Sequence, residues 1–360
     1  MVDDVPLVHT MQVFPVDTQG KLSKGSEDNQ VEIVLGNLKT ILTAMGASLD
    51  SVCKLNVYLT ERETVWYVER ALARRFSGSN KPAVSYVTTA LPVNGALIAM
   101  DAVAPVIGGA GPPPAIVPIK DVFVDQGMLP ASILQRGPKI FVSGMADTNK
   151  LAEATRKTLE KLVAAIGHLG LKMTDIVQLK VFLEPMSQVT AARGEIAKFF
   201  DGKAPPVSFV EWISPPPNPC IEIELIAPTH GDFSKETNSV TFLTPPGTTD
   251  SKVFRRIARV NYGRLIYTSG LYGGSSQEGA DQVKTMFQEL DGILKQSGSD
   301  FLHLAKATYY VSDDPASNAL NDLRPKYYNP ERPPAASKAK VRGVGLTDRT
   351  ATMDIIAVTK

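Results

Sequence analysis

The chain has 360 residues, 38 Lys and Arg against 37 Asp and Glu, a formal charge of +1 and 43% apolar residues. Charge spread this evenly excludes the basic face that a phosphate backbone requires, so nucleic-acid binding is not expected. No window approaches the ~20 apolar residues that cross a bilayer, and the composition is that of a globular protein of two or three domains.

The N-terminus, MVDDVPLVHT, is acidic and lacks the basic and apolar regions of a signal peptide, so a cytoplasmic location is the default expectation. Val8 to Val16 reads as a strand. Gln30 to Met45 reads as a long helix, because Val31, Val34, Leu35, Leu38, Ile41, Leu42 and Met45 recur at three- and four-residue steps. Val52 to Leu59 is a strand, Thr64 to Phe76 a second helix, and Ala83 to Thr89 and Ala96 to Ala104 are two further strands. The stretch VIGGAGPPPA then has the Gly and Pro density of a linker.

A hairpin is expected next, Ser132 to Arg136 and Lys139 to Ser143, turned at Gly137-Pro138. A helix follows, then strand Ile176 to Leu183, helix Val189 to Phe200, and strands Val207 to Glu211 and Cys220 to Ala227. A polar linker, PTHGDFSKETNSV, extends through Pro245-Pro246-Gly247. The order then recurs: a hairpin over Arg255 to Ser269, a helix, strand Ala305 to Val311, a helix near Ala316 to Tyr328, and strands Ala336 to Val341 and Ala351 to Val358. Pro325 should bend or shorten that last helix.

The chain therefore writes one unit three times. Asn37 to Leu59 returns as Thr158 to Leu183 and as Phe287 to Val311. Leu38, Leu162 and Leu290 correspond, as do Gly46, Gly170 and Gly298, at separations of 124 and 128 residues. Each glycine stands where a helix needs a left-handed stop without a Cβ penalty. The repeats are placed at residues 1–105, 106–228 and 229–360, and the first lacks the strand that opens the other two.

In the final strand of each repeat one side is apolar: Ile98, Met100, Ala102 and Ala104, then Ile221, Ile223 and Leu225, then Ala351, Met353, Ile355 and Ala357. That pattern predicts a sheet with both helices on one face. Val103, Ile226 and Ile356 lie on the other face and would be buried if three sheets packed about a common axis.

This ordering, with Ser-Gly after the hairpin, Pro-Ala-x-Ser on the penultimate strand and an acid inside the final strand, resembles the reactive-intermediate deaminase (Rid, YjgF-like) family. The resemblance implies an α+β fold of three chorismate-mutase-like repeats, each a mixed sheet with two helices on one face, packed as a pseudo-trimer with a small-molecule cleft at each seam. It implies a monomer standing in for the homotrimers formed by single-repeat members. It also implies hydrolysis of enamines and imines such as 2-aminoacrylate, without metal or cofactor. An arginine would clamp the substrate carboxylate, an acid on the last strand would position water, and NH groups near Ser-Gly would hold the ligand.

On that resemblance the acids are Asp101, Glu224 and Asp354. The Ser-Gly pairs are Ser143-Gly144 and Ser269-Gly270, with His9-Thr10 in their place in the first repeat, and the strand serines are Ser85, Ser208 and Ser337. The arginine is replaced in all three repeats, by Val84, Val207 and Ala336. A further site position on the second helix holds Glu69, Arg193 and Asn321, so that Arg193 is a candidate substitute guanidinium and Asn321 a direct match.

A lysine or hydrogen-bond partner would give the three acids a structural role instead. Cys53 and Cys220 occupy non-equivalent places and read as small buried hydrophobes in a reduced compartment. His9, His168, His230 and His303 show neither metal nor triad spacing, and Gly108-Gly109 and Gly273-Gly274 read as loops. Two functional readings follow: a Rid-like hydrolase of a small imine or enamine, and a noncatalytic small-molecule-binding or scaffold protein. Endoribonuclease activity ranks below both.

Overall fold

The computed structural model describes residues 1–76, 81–107, 119, 121–213, 219–249, 251–274 and 278–360. Most of the Gly/Pro linker, including Gly108-Gly109, lies outside them. Repeat 1 comprises β1 (Leu7–Thr10), α1 (Glu27–Ala44), β2 (Lys54–Leu59), α2 (Val65–Arg75), β3 (Ala83–Thr88) and β4 (Ile98–Pro105). Repeat 2 comprises β5 (Ala131–Leu134), β6 (Lys139–Asp147), α3 (Leu151–Gly167), β7 (Gln178–Leu183), α4 (Val189–Phe199), β8 (Val207–Glu211) and β9 (Ile221–Pro228). Repeat 3 comprises β10 (Val240–Leu243), β11 (Ile257–Val260), β12 (Leu265–Tyr267), α5 (Gly279–Gln296), β13 (Leu304–Val311), α6 (Asp314–Tyr327), β14 (Ala335–Lys340) and β15 (Ala351–Val358). The helix stops at Gly46, Gly170 and Gly298 have φ of 75°, 76° and 70°, the left-handed backbone that glycine accepts without strain.

Three mixed sheets result, ordered β3-β2-β4-β1-β5, β10-β11-β6-β9-β7-β8 and β12-β15-β13-β14. In each, the strand after the long helix runs parallel to the penultimate strand and antiparallel to the last one. The connecting helices pack on one face, and each repeat closes its own apolar core there. The opposite faces meet in two shared clusters. One joins Val103, Phe141, Val177, Leu265, Ala305 and Val358; the other joins Tyr58, Phe182, Val210 and Tyr310, so every repeat contributes to both. Ile226 and Ile356 pack against the first, as the strand pattern predicts.

The expected hairpins do not form. β5 pairs with β1 in the first sheet, whereas β6 pairs with β9 and β11 in the second. β11 likewise belongs to the second sheet and β12 to the third. Gly137-Pro138 passes the chain from one sheet to the next, and Pro138 cannot donate a ladder hydrogen bond across the turn. Apolar arms flanking a Gly turn look alike whether they pair with each other or with separate neighbours. Val2 bridges Leu265 of the third sheet with hydrogen bonds of 2.8 and 3.0 Å, so the opening segment of repeat 1 also reaches another repeat's sheet. Pro325 lies in the last turn of α6, which ends two residues later.

Leu162 is fully buried. Leu162→Ala should cost about 2–5 kcal/mol in urea unfolding. Because strands are exchanged between sheets, fluorescence and circular dichroism should report a single transition. Separate transitions would indicate repeats that unfold independently.

Candidate functional site

The acids on the three final strands all point into the shared interior, and each is met across a seam. Lys54 Nζ of repeat 1 lies 2.8 Å from Asp354 of repeat 3, and Lys306 Nζ of repeat 3 lies 2.5 Å from Glu224 of repeat 2. Strand register puts Gln178 at the place of these lysines in repeat 2. Asp101, with no side-chain exposure to solvent, is instead held by Ser208 and Tyr58, each at 2.6 Å, and by Asn56 at 2.7 Å. Asp101, Glu224 and Asp354 therefore link neighbouring repeats, with both oxygens of Asp101 and one oxygen each of Glu224 and Asp354 engaged.

Between these groups lies a cavity of about 50 Å³ lined by all three repeats, including His9, Lys180 and Tyr267. His9 donates Nδ1–H to Gln178 Oε1 at 2.9 Å, and burial pushes its pKa down to about 4. His9 stands opposite Val103 as Phe141 stands opposite Ile226 and Tyr267 opposite Ile356. Met11-Gln12, rather than His9-Thr10, thus occupies the Ser-Gly place in repeat 1. A two-residue slip leaves every side chain on its original face, which is why alternation does not reveal it.

The three seams differ at that place. In the first, Gln12 closes on Phe209, its amide donating to the backbone carbonyl and accepting from the backbone NH, both at 3.1 Å. In the third, Ser269 Oγ accepts from Val84 NH at 3.1 Å and Gly270 NH donates to the Val84 carbonyl at 2.9 Å. There a cleft of about 380 Å³ opens between Glu69, Val84, Tyr86, Ser269, Gly270 and Tyr272. Ser85, beneath it, accepts from Lys54 at 2.7 Å.

The second seam differs in its chemistry. Ser143 Oγ accepts from Ala336 NH at 2.8 Å, and Gly144 NH donates to Ser337 Oγ at 3.2 Å. Ser337 is hydrogen-bonded in turn to Glu222, whose pKa burial raises to about 7; the Ser337 hydrogen bond opposes the shift and the nearby Glu224 carboxylate adds to it. A Cβ on Gly144 would overlap the Glu222 carboxyl, so glycine provides its space. Arg256 Nη1 donates to the Gly144 carbonyl at 3.1 Å, its Nε has no hydrogen-bond partner, and its charge acts on Glu222.

Glu222 is the residue that the sequence reading passes over. It shares the inner face of β9 with Glu224, and register places Ala99 and Thr352 at its position in the other repeats. The signal was two acids alternating on an otherwise apolar strand in one repeat alone. Arg256 had no such signal, because it belongs to the segment that leads repeat 3 into the sheet of repeat 2. Arg193 packs over the Phe209 ring and pairs with Asp125 at 3.2 Å, which places it at the first seam. Asn321 accepts from Lys338 at 3.0 Å on the repeat 3 side of the second seam. Among the described residues, no group of three or more His, Cys, Asp and Glu is placed to hold a metal ion, and no helix is long and apolar enough to cross a membrane.

The model of the family described as Endoribonuclease L-PSP matches residues 6–106, 132–229 and 255–359. The chain belongs to this family. Protein HMF1 of Saccharomyces cerevisiae is 34% identical over 91 residues, 25% of this chain and 70% of that protein. A RutC family protein of Pyrococcus horikoshii is 37% identical over 93 residues, 25% of this chain and 72% of that protein. Among solved structures, RidA from an Antarctic Psychrobacter is 28% identical with a TM-score of 0.26, covering 28% of this chain and 80% of that one. The Rid family protein YyfB of Yersinia pestis is 17% identical with a TM-score of 0.31, covering 34% and 99%. As an Endoribonuclease L-PSP family member this chain is a tandem of three family units, and their seams are formed within one polypeptide.

Two outcomes test the interior. Lys306→Met leaves Glu224 buried without its cation and should cost about 3–5 kcal/mol, whereas Lys306→Met combined with Glu224→Leu should recover most of it in chemical denaturation. The unfolded-state pKa of His9 is near 6.5 and its folded pKa is about 4, so its contribution is present above pH 6.5 and lost as pH falls towards 4. About 3 kcal/mol of stability should therefore vanish across that window, and His9→Gln should remove that component of the acid loss.

Proposed function

We propose that this protein is a cofactor-free hydrolase of small imines or enamines, with its chemistry at the second seam and a structural role for the first. The observation that carries this reading is Glu222, a carboxyl with a pKa of about 7 at a seam between repeats, beside Ser337, Gly144 and Arg256. A group titrating near neutrality is present in both protonation states and can serve as acid and then as base.

In an enamine, the protonated Glu222 carboxyl would donate its proton to the terminal carbon, forming a C–H bond and leaving an iminium ion. Water then adds to the iminium carbon as its proton passes to the Glu222 carboxylate. The carbinolamine nitrogen takes a proton from the same carboxyl, the C–N bond breaks to release ammonia, and the hydroxyl proton of the resulting protonated carbonyl returns to the Glu222 carboxylate, leaving the carbonyl product and the starting acid. Atoms and charge balance with water as the only co-reactant. The partnerless Nε of Arg256 supports anion binding beside the reacting carbon in place of the arginine absent at Val84, Val207 and Ala336. The paired state of Asp354, Glu224 and Asp101 argues against any of them as the base.

Freshly generated 2-aminoacrylate should release ammonia faster with the protein than in buffer, and Glu222→Gln should lower the rate by about 10²–10⁴ while leaving the fold intact. The rate should fall as pH rises through about 7, where the carboxyl loses its proton. A rate equal to buffer, or an unchanged rate in Glu222→Gln, would overturn the reading. In the first case the seams would be those of a scaffold.

A further inference from the structure

Two buried lysines of this interior meet carboxylates across seams, Lys54 with Asp354 and Lys306 with Glu224. Arg324 and Lys338 do not. Arg324 is only 5% exposed, and its guanidinium lies 5.1 Å from the Tyr309 ring centre. Its Nε donates to the Leu320 carbonyl at 3.1 Å and its Nη2 to Asn321 Oδ1 at 2.8 Å. Lys338 donates to the same Asn321 Oδ1 at 3.0 Å and to Ser317 Oγ at 2.9 Å. Every acceptor is neutral, and among the described residues no carboxylate pairs with either cation. Burial, and then the Arg324 charge, hold the Lys338 pKa down to about 8.

A buried guanidinium with only neutral partners is costly, since its desolvation is not offset by an opposite charge. The position of the pair suggests what offsets it. The corresponding residues at the third seam, Glu69, Leu72 and Tyr86, line the cleft of about 380 Å³ there. By position, Asn321, Arg324 and Lys338 correspond to that lining on the repeat 3 side of the second seam, whose backbone contact across the seam is Ala336 NH donating to Ser143 Oγ.

We propose that Arg324, Lys338 and Asn321 form a receptor for a dianionic oxyanion such as the phosphate of a small phosphorylated molecule. A carboxylate neutralises only one of the two cations. A tetrahedral dianion neutralises both, offering adjacent oxygens to the guanidinium fork and another to the ammonium. The receptor does not depend on Glu222 acting as an acid, and it can be tested without turnover.

The test titrates inorganic phosphate, sulfate and acetate into the full chain at pH 7 and matched ionic strength, read by calorimetry. Phosphate and sulfate should bind saturably and acetate at least about tenfold more weakly; Lys338→Met should weaken both dianions by about tenfold or more. Sulfate stays dianionic from pH 7 to 9, so its affinity should fall across that range as Lys338 loses its proton, and the slope should be absent in Lys338→Met. Arg324→Met should abolish binding with a thermal midpoint, in anion-free buffer, no lower than that of the unmodified chain. No saturable binding, acetate as tight as sulfate, or full affinity in Lys338→Met would each overturn the proposal.

Discussion

A carboxylate carried into a protein interior must meet a cation or several donors, because an unpartnered charge there costs several kcal/mol or takes up a proton. This chain places such a carboxylate on the final strand of each repeat and draws the partners from the neighbouring repeat or from the adjacent strand. Lys54 crosses to Asp354, Lys306 crosses to Glu224, and Ser208 crosses to Asp101. Exchanged strands reinforce these links, since β5 and β11 complete sheets that belong mainly to other repeats. The seams are thus built from charge pairs and shared β-ladders, and the apolar inner faces fill the space between them.

Differences among the repeats then give the seams different capacities. Gln12 closes the first by pairing with the Phe209 backbone. The third keeps an open cleft lined by Tyr86 and Tyr272 but has Thr352 where the second has Glu222. Among the described residues, only at the second do an acid titrating near neutrality, a Ser-Gly turn and a guanidinium, that of Arg256, come together. In a symmetric assembly of identical units all three seams would have to satisfy the same residues. A single chain can make one seam chemical and leave the others to hold the structure.

Much of this was legible in the residues. Helix periodicity ending in Gly46, Gly170 and Gly298 gave the repeat, and alternation on the last strands gave the buried inner face. The serines of the penultimate strands lie at the seams, and Ser143-Gly144 and Ser269-Gly270 meet those strands there. Strand exchange was hidden because an apolar arm carries no mark of its partner. The lysine partners were hidden too, since Lys54 and Lys306 sit among apolar strand residues and their pairing depends on which repeat lies across the seam. Glu222 was passed over in favour of Glu224 because both occupy one strand face, and what separates them is the partner each meets, the Lys306 cation for Glu224 and the Ser337 hydroxyl for Glu222.

The central claim is that Glu222 titrates near neutral pH because of where the second seam places it. Carbon-13 NMR of the protein labelled at its glutamate side-chain carboxyls tests this directly, by following each resonance through a pH titration of the intact chain. One resonance should titrate near pH 7 and be missing from the Glu222→Gln spectrum. If every glutamate resonance titrates below about pH 5, in the range of ordinary exposed carboxyls, the second seam holds no such acid and the account is contradicted.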